Sequence, residues 1–252
     1  MRLKGKVAVV TGAGSGFGEA IARRYAEEGA AIVIDDLDEA AAKRVADTIL
    51  QQGGKAVAIR ADVTKSADTK AMVDRALAAF GRLDILVNNA GFPQRNQPMT
   101  GVSEQDFDRI FAVNVKSIYW AAIHAVPVMK KQGGGVIINT ASTAAGRPRP
   151  GLTWYNGSKG AVVTITRSMA VELAPDKIRV NAINPVAGET PMLSEFMGGA
   201  VTPEMRARFV ATVPLGRLSQ PLDIANAALF LASEDAAFLT GVCLDVDGGR
   251  SV

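Results

Sequence analysis

One cysteine and one histidine are all that the 252 residues hold of the two side chains that dominate zinc sites. A Cys/His metal centre cannot be assembled from them and none is expected; only a carboxylate site for magnesium stays open. Cys243 has no partner for an internal disulfide, and its apolar surroundings in the sequence fit a buried, inert thiol in a reducing cytoplasm. His124 lies among Ala and Val, where a core or interface role outweighs a Ser-His-Asp hydrolase. Long apolar runs are absent too. The stretch 7–10 soon meets Thr11 and Gly12, far short of the roughly 20 residues of a membrane span, and the basic start lacks the long apolar stretch and cleavage site of a signal peptide. Charge blocks are missing: 28 Lys and Arg against 25 Asp and Glu leave +3, with no basic run longer than Lys130-Lys131, so neither a nucleic-acid partner nor a membrane is expected.

What is present is a rhythm. Apolar runs VAVVTG, AIVIDD, KAVAIRAD, DILVNNAG, GVIINTAS, IRVNAINP and VCLDVDGG alternate with longer helical patterns. This predicts an α/β fold, a doubly wound, parallel, seven-stranded sheet with helices on both faces. The strands are apolar at nearly every position, as expected where both faces are covered. Residues 38–52 read as a helix stopped by Gly53-Gly54. Ser103 reads as the cap of a long helix carrying Phe107, Ile110, Val113 and Ile118 inward. No linker or repeat divides the chain, so residues 1–252 are expected to form one Rossmann domain. The stretch 186–216, rich in Gly, Pro and Met, is expected to be an insertion over the carboxyl ends of the strands: a substrate lid, or an ordinary surface excursion.

After the first run comes TGAGSGFG, with Gly12, Gly14, Gly16 and Gly18 among Ser15 and Phe17, leading into an amphipathic helix. Such a turn lets the backbone approach a pyrophosphate and aims free N–H groups of the helix at it. About 20 residues on, where a dinucleotide's ribose is read, stand Asp35 and Asp36. Their alternative role is to cap the next helix. Farther along, Tyr155 and Lys159 are four apart, on one face of a helix. A free phenol titrates near 10, so its use as a base at neutral pH requires a cation to favour the phenolate. Ser142 ends the fifth strand, placed to hydrogen-bond a substrate oxygen or merely to cap.

The ordered set of TGAGSGFG, Asp62-Val63, NNAG at 88–91, Asn114, Ser142, YNGSK at 155–159, and Asn184-Pro185 with Thr190 resembles the short-chain dehydrogenase/reductase family over residues 7–249. The resemblance implies an oxidoreductase using NAD, a homotetramer, and roles for particular residues. Asp36 with Leu37 would read the adenosine ribose. Asp62 and Val63 would contact adenine, and Asn89, Ala90 and Gly91 the cofactor. Tyr155 would be the acid/base, with Lys159 on the nicotinamide ribose and Asn114 ordering a water. The places where NADP-preferring relatives carry Arg or Lys hold Ala13, Ser15 and Leu37. One departure is NPVAGETPM, with Val186 where relatives have Gly. The contact to the nicotinamide amide is therefore expected from the backbone between Val186 and Glu189, with Thr190 helping, through groups the sequence does not single out; Pro185, Val186, Gly188 and Thr190 are the expected cofactor residues here. Alternatives are a 3-oxoacyl-carrier-protein reductase and a catalytically silent nucleotide-sensing regulator, the second opposed by the intact Tyr155 and Lys159.

Arg95, Arg147 and Arg149 all follow strand ends, which predicts an anionic or strongly polar substrate gripped by guanidinium, with Trp154 as a flat wall; solvation or a subunit interface is the alternative. GLTWYNGSK, GETPM with FMG, and FLTGVCLDVDGGR also resemble the branch containing 4-formylbenzenesulfonate dehydrogenase, which implies an aryl sulfonate. The apolar faces of 107–129 and 153–173 and the final strand are the expected tetramer surfaces.

Overall fold

The apolar runs become strands because their β-branched side chains pack on both faces of a pleated surface. The computed structural model describes residues 1–196, 199 and 201–252. Its strands are β1 (Val7–Thr11), β2 (Ala31–Asp36), β3 (Lys55–Arg60), β4 (Ile85–Asn88), β5 (Gly135–Thr140), β6 (Ile178–Pro185) and β7 (Cys243–Val246). They form one parallel sheet in the order β3-β2-β1-β4-β5-β6-β7. The order reverses between β1 and β4, the point where such sheets open a crevice.

Successive residues of a strand face opposite ways, which divides the core in two. Ala8, Val10, Ile32 and Ile34 pack in one cluster with Ile21, Ala22 and Tyr25 of α1 (Gly16–Glu27), Val45 and Ile49 of α2 (Glu39–Gln51) and Leu229 of α9 (Pro221–Ala232). Val7, Val9 and Val33 share the other cluster with Met72 and Val73 of α3 (Ser66–Phe80) and Ala121, Ala125 and Met129 of α5 (Ser117–Gln132). Each large aliphatic side chain buried this way contributes about 1.5–3 kcal/mol. The Tyr25 hydroxyl donates to the Ala228 carbonyl at 2.9 Å and ties α1 to α9.

The expected helix at 38–52 starts on Asp38, whose carboxylate accepts from the Ala40 and Ala41 N–H groups, and gives way at Gly53, where φ is +80°. The helix from Ser103 is not continuous. Ser103 caps α4 (Glu104–Phe111), but residues Ala112–Lys116 widen into a π-helical turn before α5. Such a turn rotates the residues after it relative to those before, and Asn114 sits inside this one, buried.

After β6 the chain runs over the strand ends through α7 (Leu193–Phe196) and α8 (Pro203–Val210), where Val186, Leu193, Phe209, Val213 and Leu218 make a separate small apolar cluster. Met197 and Gly198 of the FMG motif lie outside the described residues. The remaining long helix, α6 (Thr153–Leu173), packs against β6.

Candidate active site

The carboxyl ends of the strands open on a cleft of about 930 Å³. Of the residues given a catalytic, cofactor or substrate role from the sequence, all but Gly14, Gly18, Asn114, Arg147 and Trp154 line it.

At one end stands the glycine turn. Asp36 ends β2, and its Oδ2 accepts from the Gly14 N–H at 2.8 Å while Oδ1 accepts from the Asp38 N–H at 2.9 Å. A Cβ on Gly14 would lie 2.8 Å from that same Oδ2, so only glycine lets the turn close on the carboxylate. Gly18 is used for proximity: a Cβ there would fall 2.1 Å from the Gly12 carbonyl oxygen, so helix α1 could not start so close to the turn. The turn and the Asp36 carboxylate thus offer what a dinucleotide requires, N–H groups near a helix start for a pyrophosphate and a fixed acceptor for ribose hydroxyls. Arg44 of α2 reaches the Gly14 carbonyl at 2.7 Å, yet Glu19 holds its guanidinium at 2.7 and 3.1 Å, so this cation is already paired. Asp62 accepts from the Thr64 hydroxyl and N–H at 2.7 and 3.0 Å; burial works against its charge, but Thr64 and Lys65 hold it below the ordinary carboxylate range.

Asp35, beside it, is a different kind of carboxyl. It is wholly buried against the same end of the cleft, and neither oxygen has a hydrogen-bond partner among the described residues. Burial, then the neighbouring Asp36, Asp68 and Asp62 charges, push its pKa well above the ordinary range.

The other end is built on α6. Tyr155 and Lys159 are both buried on its inner face, and Lys159 Nζ donates to the Thr140 carbonyl at 2.8 Å, pinning the helix to the end of β5. Ser142, two residues past β5, accepts from the Ala144 N–H at 3.1 Å and also interacts with the Tyr155 hydroxyl. Burial pushes the phenol up to about 12, with Ser142 and the Arg149 guanidinium pulling it down. Burial likewise lowers Lys159 to about 8. From the sequence, the cations expected to favour the phenolate are the Lys159 ammonium and the positive charge of oxidised nicotinamide. In the structure burial outweighs the groups that pull the phenol down, the Lys159 ammonium stands 5.8 Å from the Tyr155 ring centroid, and the Arg149 guanidinium adds a pull that the sequence did not indicate.

Asn114 lies behind the cleft wall. Its amide accepts from the Phe92 N–H at 2.7 Å and donates to the Phe92 carbonyl and the Ser158 hydroxyl, both at 3.0 Å, clamping the loop after β4 to α6. Between Val186 and Thr190, the N–H groups of residues 186, 189 and 190 are engaged by Val246, Ser219 and Gly188. Those of Ala187 and Gly188 have no acceptor among the described residues and face no competing claim.

Two expectations need correction. Trp154 is no wall of the cleft: consecutive helical residues point about 100° apart, so with Tyr155 inward the indole turns to the outside. There it packs edge-on against Phe107 at 5.3 Å and donates to the Met99 carbonyl at 3.2 Å. Arg147 is exposed on the loop and does not line the cleft, whereas Arg95 and Arg149 do.

The aromatic walls come instead from α7 and α8, Phe196 meeting the Tyr155 ring edge-on at 5.1 Å, and Phe209. Arg250, near the carboxyl terminus, also lines the cleft. Sequence reasoning missed Phe196, Phe209, Arg250 and Gln94, because their positions depend on how the segment after β6 and the loops fold back. His124 bonds Ser66 at 3.0 Å, away from all of this.

A family model described as Enoyl-(Acyl carrier protein) reductase, a short-chain dehydrogenase model, matches residues 12–251. The chain is 52% identical over 252 residues to 4-formylbenzenesulfonate dehydrogenase of Comamonas testosteroni, covering 100% of both. A 3-ketoacyl-(acyl-carrier-protein) reductase of Brucella melitensis, solved with NADH, has a TM-score of 0.93 at 52% identity, over 99% of this chain and 100% of that one. A 7α-hydroxysteroid dehydrogenase solved with NADH and 7-oxo glycochenodeoxycholic acid gives 0.92 at 42% identity, over 98% and 95%.

Proposed function

Because the chain belongs to the short-chain dehydrogenase/reductase family, we propose that it is an NAD(H)-dependent oxidoreductase acting on an alcohol/carbonyl pair, with Tyr155 carrying the proton. The observation that supports this most is the meeting of Ser142, Tyr155 and Lys159 in one cleft whose far end is the clasp between Gly14 and Asp36. NAD⁺, when bound, accepts the hydride of the carbinol carbon. Everything else falls to the chain. Ser142 hydrogen-bonds the substrate oxygen, and Tyr155 takes the hydroxyl proton in oxidation and returns it in reduction. Lys159, braced on Thr140, keeps a positive charge near the phenol. The free N–H groups of Ala187 and Gly188, next to the departure at Val186, are the donors for the nicotinamide amide. Asp36 accepts from the ribose hydroxyls and repels a 2′-phosphate.

Initial rates with NAD⁺ and NADP⁺ against polyols, sugars, aryl alcohols and hydroxy acids test the reading. Higher kcat/KM with NAD⁺, and loss of most turnover in Tyr155→Phe with NADH binding retained, are expected. Near-normal turnover in that variant would remove Tyr155 as the proton carrier.

The substrate is, on this proposal, a small anionic molecule. Arg95 and Arg149 on the cleft support this, as do the Comamonas relative, named for a sulfonate, and the steroid dehydrogenase solved with an acid. The Brucella relative favours a second reading, reduction of a 3-oxoacyl thioester; NADH oxidation with an acetoacetyl thioester decides between them. The proposal extends to one domain with residues 186–216 as its lid, and to a cytoplasmic homotetramer. Half-exposed Tyr119 and Ile123 on α5 and Val171 on α6, 80% exposed, are apolar surfaces suited to an interface.

A further inference from the structure

Two segments far apart in the chain bring cations to one aromatic ring carried by a third. The Arg149 guanidinium, from the loop after β5, lies 5.0 Å from the centroid of Phe209 on α8, and that of Arg250 lies 4.9 Å from the same centroid. Arg250 also donates to the Thr212 hydroxyl just past α8. Both arginines and Phe209 line the cleft near Tyr155.

Unlike the ion-paired arginines of the molecule, these two share one ring and no carboxylate. Arg24, Arg44, Arg82, Arg206 and Arg217 each have a carboxylate partner. Half-buried Arg179 spends its N–H groups on the Leu239 and Ser233 carbonyls. Among the described residues, neither Arg149 nor Arg250 has a carboxylate within 4.0 Å, and the Arg149 guanidinium makes no hydrogen bond. The nearby acid, Asp247, is occupied by the backbone N–H groups of Gly249 and Ser251 at 2.9 and 2.7 Å. Burial lowers the pKa of both arginines; Arg250 lowers Arg149 further, and Arg147 lowers Arg250 further. Guanidiniums held together, part-buried and unpaired, repel one another unless an anion lies between them. Stacking on Phe209 fixes their positions and leaves the Arg149 N–H fork unused, while Arg250 gives one N–H group to Thr212.

We propose that Arg149 and Arg250, stacked on Phe209, form the anion-binding end of the substrate site, and that they take the carboxylate or sulfonate of an aryl alcohol or aldehyde. The Phe196 and Phe209 rings supply the flat apolar walls between that anion and Tyr155. The cofactor's phosphates are not the anion in question, since the glycine turn that suits them lies at the opposite end of the cleft, beside Asp36. The inference rests on the dehydrogenase reading for the orientation of the substrate, but the anion site itself does not depend on turnover.

Calorimetric titration of benzenesulfonate and of benzoate into the protein with NADH, beside benzyl alcohol, reads the site without catalysis. Binding of at least one anion is expected, tenfold or more tighter than benzyl alcohol, and weakened about tenfold or more by Arg149→Met and by Arg250→Met. Which anion binds tighter separates a sulfonate from a carboxylate substrate. The same order is expected in kcat/KM for 4-(hydroxymethyl)benzenesulfonate and 4-(hydroxymethyl)benzoate over benzyl alcohol, the charged-to-neutral ratio collapsing in both variants but changing less than threefold in Arg147→Met. No binding of either anion, or unchanged affinity in both variants, overturns the proposal. Anion binding that disappears in the variants while no alcohol is oxidised would uphold the site and count against the dehydrogenase reading alone.

Discussion

Gln94 holds the amino end of the helix that carries Tyr155. Its Oε1 accepts from the Tyr155 and Trp154 N–H groups, both at 3.0 Å, and its Nε2 donates to the Gly151 carbonyl at 2.9 Å. Helix starts leave N–H groups without partners, and Leu152, at the cap position of α6, has no side chain to meet them. A buried glutamine from the loop after β4 does so, and fixes where the phenol stands relative to Ser142.

Gln94→Ala is therefore expected to cost about 1–2 kcal/mol of stability and to lower kcat more than it raises KM for NAD⁺. Thermal unfolding and steady-state kinetics check the two effects; an unchanged kcat would make Gln94 a purely structural cap.

The phenol at about 12 and the ammonium at about 8 set the direction of the pH dependence. Oxidation requires the phenolate, which becomes more populated as pH rises toward 12, whereas reduction requires the phenol, already dominant at neutrality. Between pH 7 and 9.5, kcat/KM for the alcohol should rise and that for the carbonyl should not. Removal of Arg149, which pulls the phenol down, should move the rise to higher pH. A flat oxidation profile would contradict the assignment of Tyr155.

Asp35 is expected to weaken the fold at neutral pH. The folded chain keeps its proton to higher pH than the unfolded chain, so stability falls as pH rises above the ordinary carboxylate value of 3.8. Asp35→Asn keeps the shape without the titration and should gain about 1–3 kcal/mol near pH 8, the gain shrinking toward pH 4. Denaturant unfolding at several pH values measures this; a variant less stable at every pH would contradict a neutral, unpartnered carboxyl.

Asp36 both shapes the glycine turn through Gly14 and faces the cleft. Asp36→Ala with Leu37→Arg should raise kcat/KM for NADP⁺ and lower that for NAD⁺ by about tenfold or more. Cofactor kinetics of the single and double variants separate loss of the turn from gain of the phosphate contact. Wild-type preference for NADP⁺ would invalidate the ribose argument.

The seven apolar runs were legible as strands because a strand covered on both faces has no polar alternation to hide it, and each run found its place in the sheet. The break between α4 and α5 was not legible. The apolar spacing through Phe107, Ile110 and Val113 continues across it, and a π turn leaves no mark in a periodicity summed over a helix. Trp154 was misplaced for a related reason: adjacency to Tyr155 in sequence means divergence on a helix.

By itself the sequence determined the α/β architecture and its order of motifs, since hydrophobic periodicity and glycine spacing are local properties that survive without a fold. Only the tertiary structure decided which arginines face the cleft. Arg147 and Arg149 are two residues apart, yet one is exposed and the other is stacked on Phe209 with Arg250, which lies a hundred residues along the chain. The direction a loop side chain takes is set by what packs over it, and here that is α8 and the stretch around Arg250, whose approach no local pattern encodes.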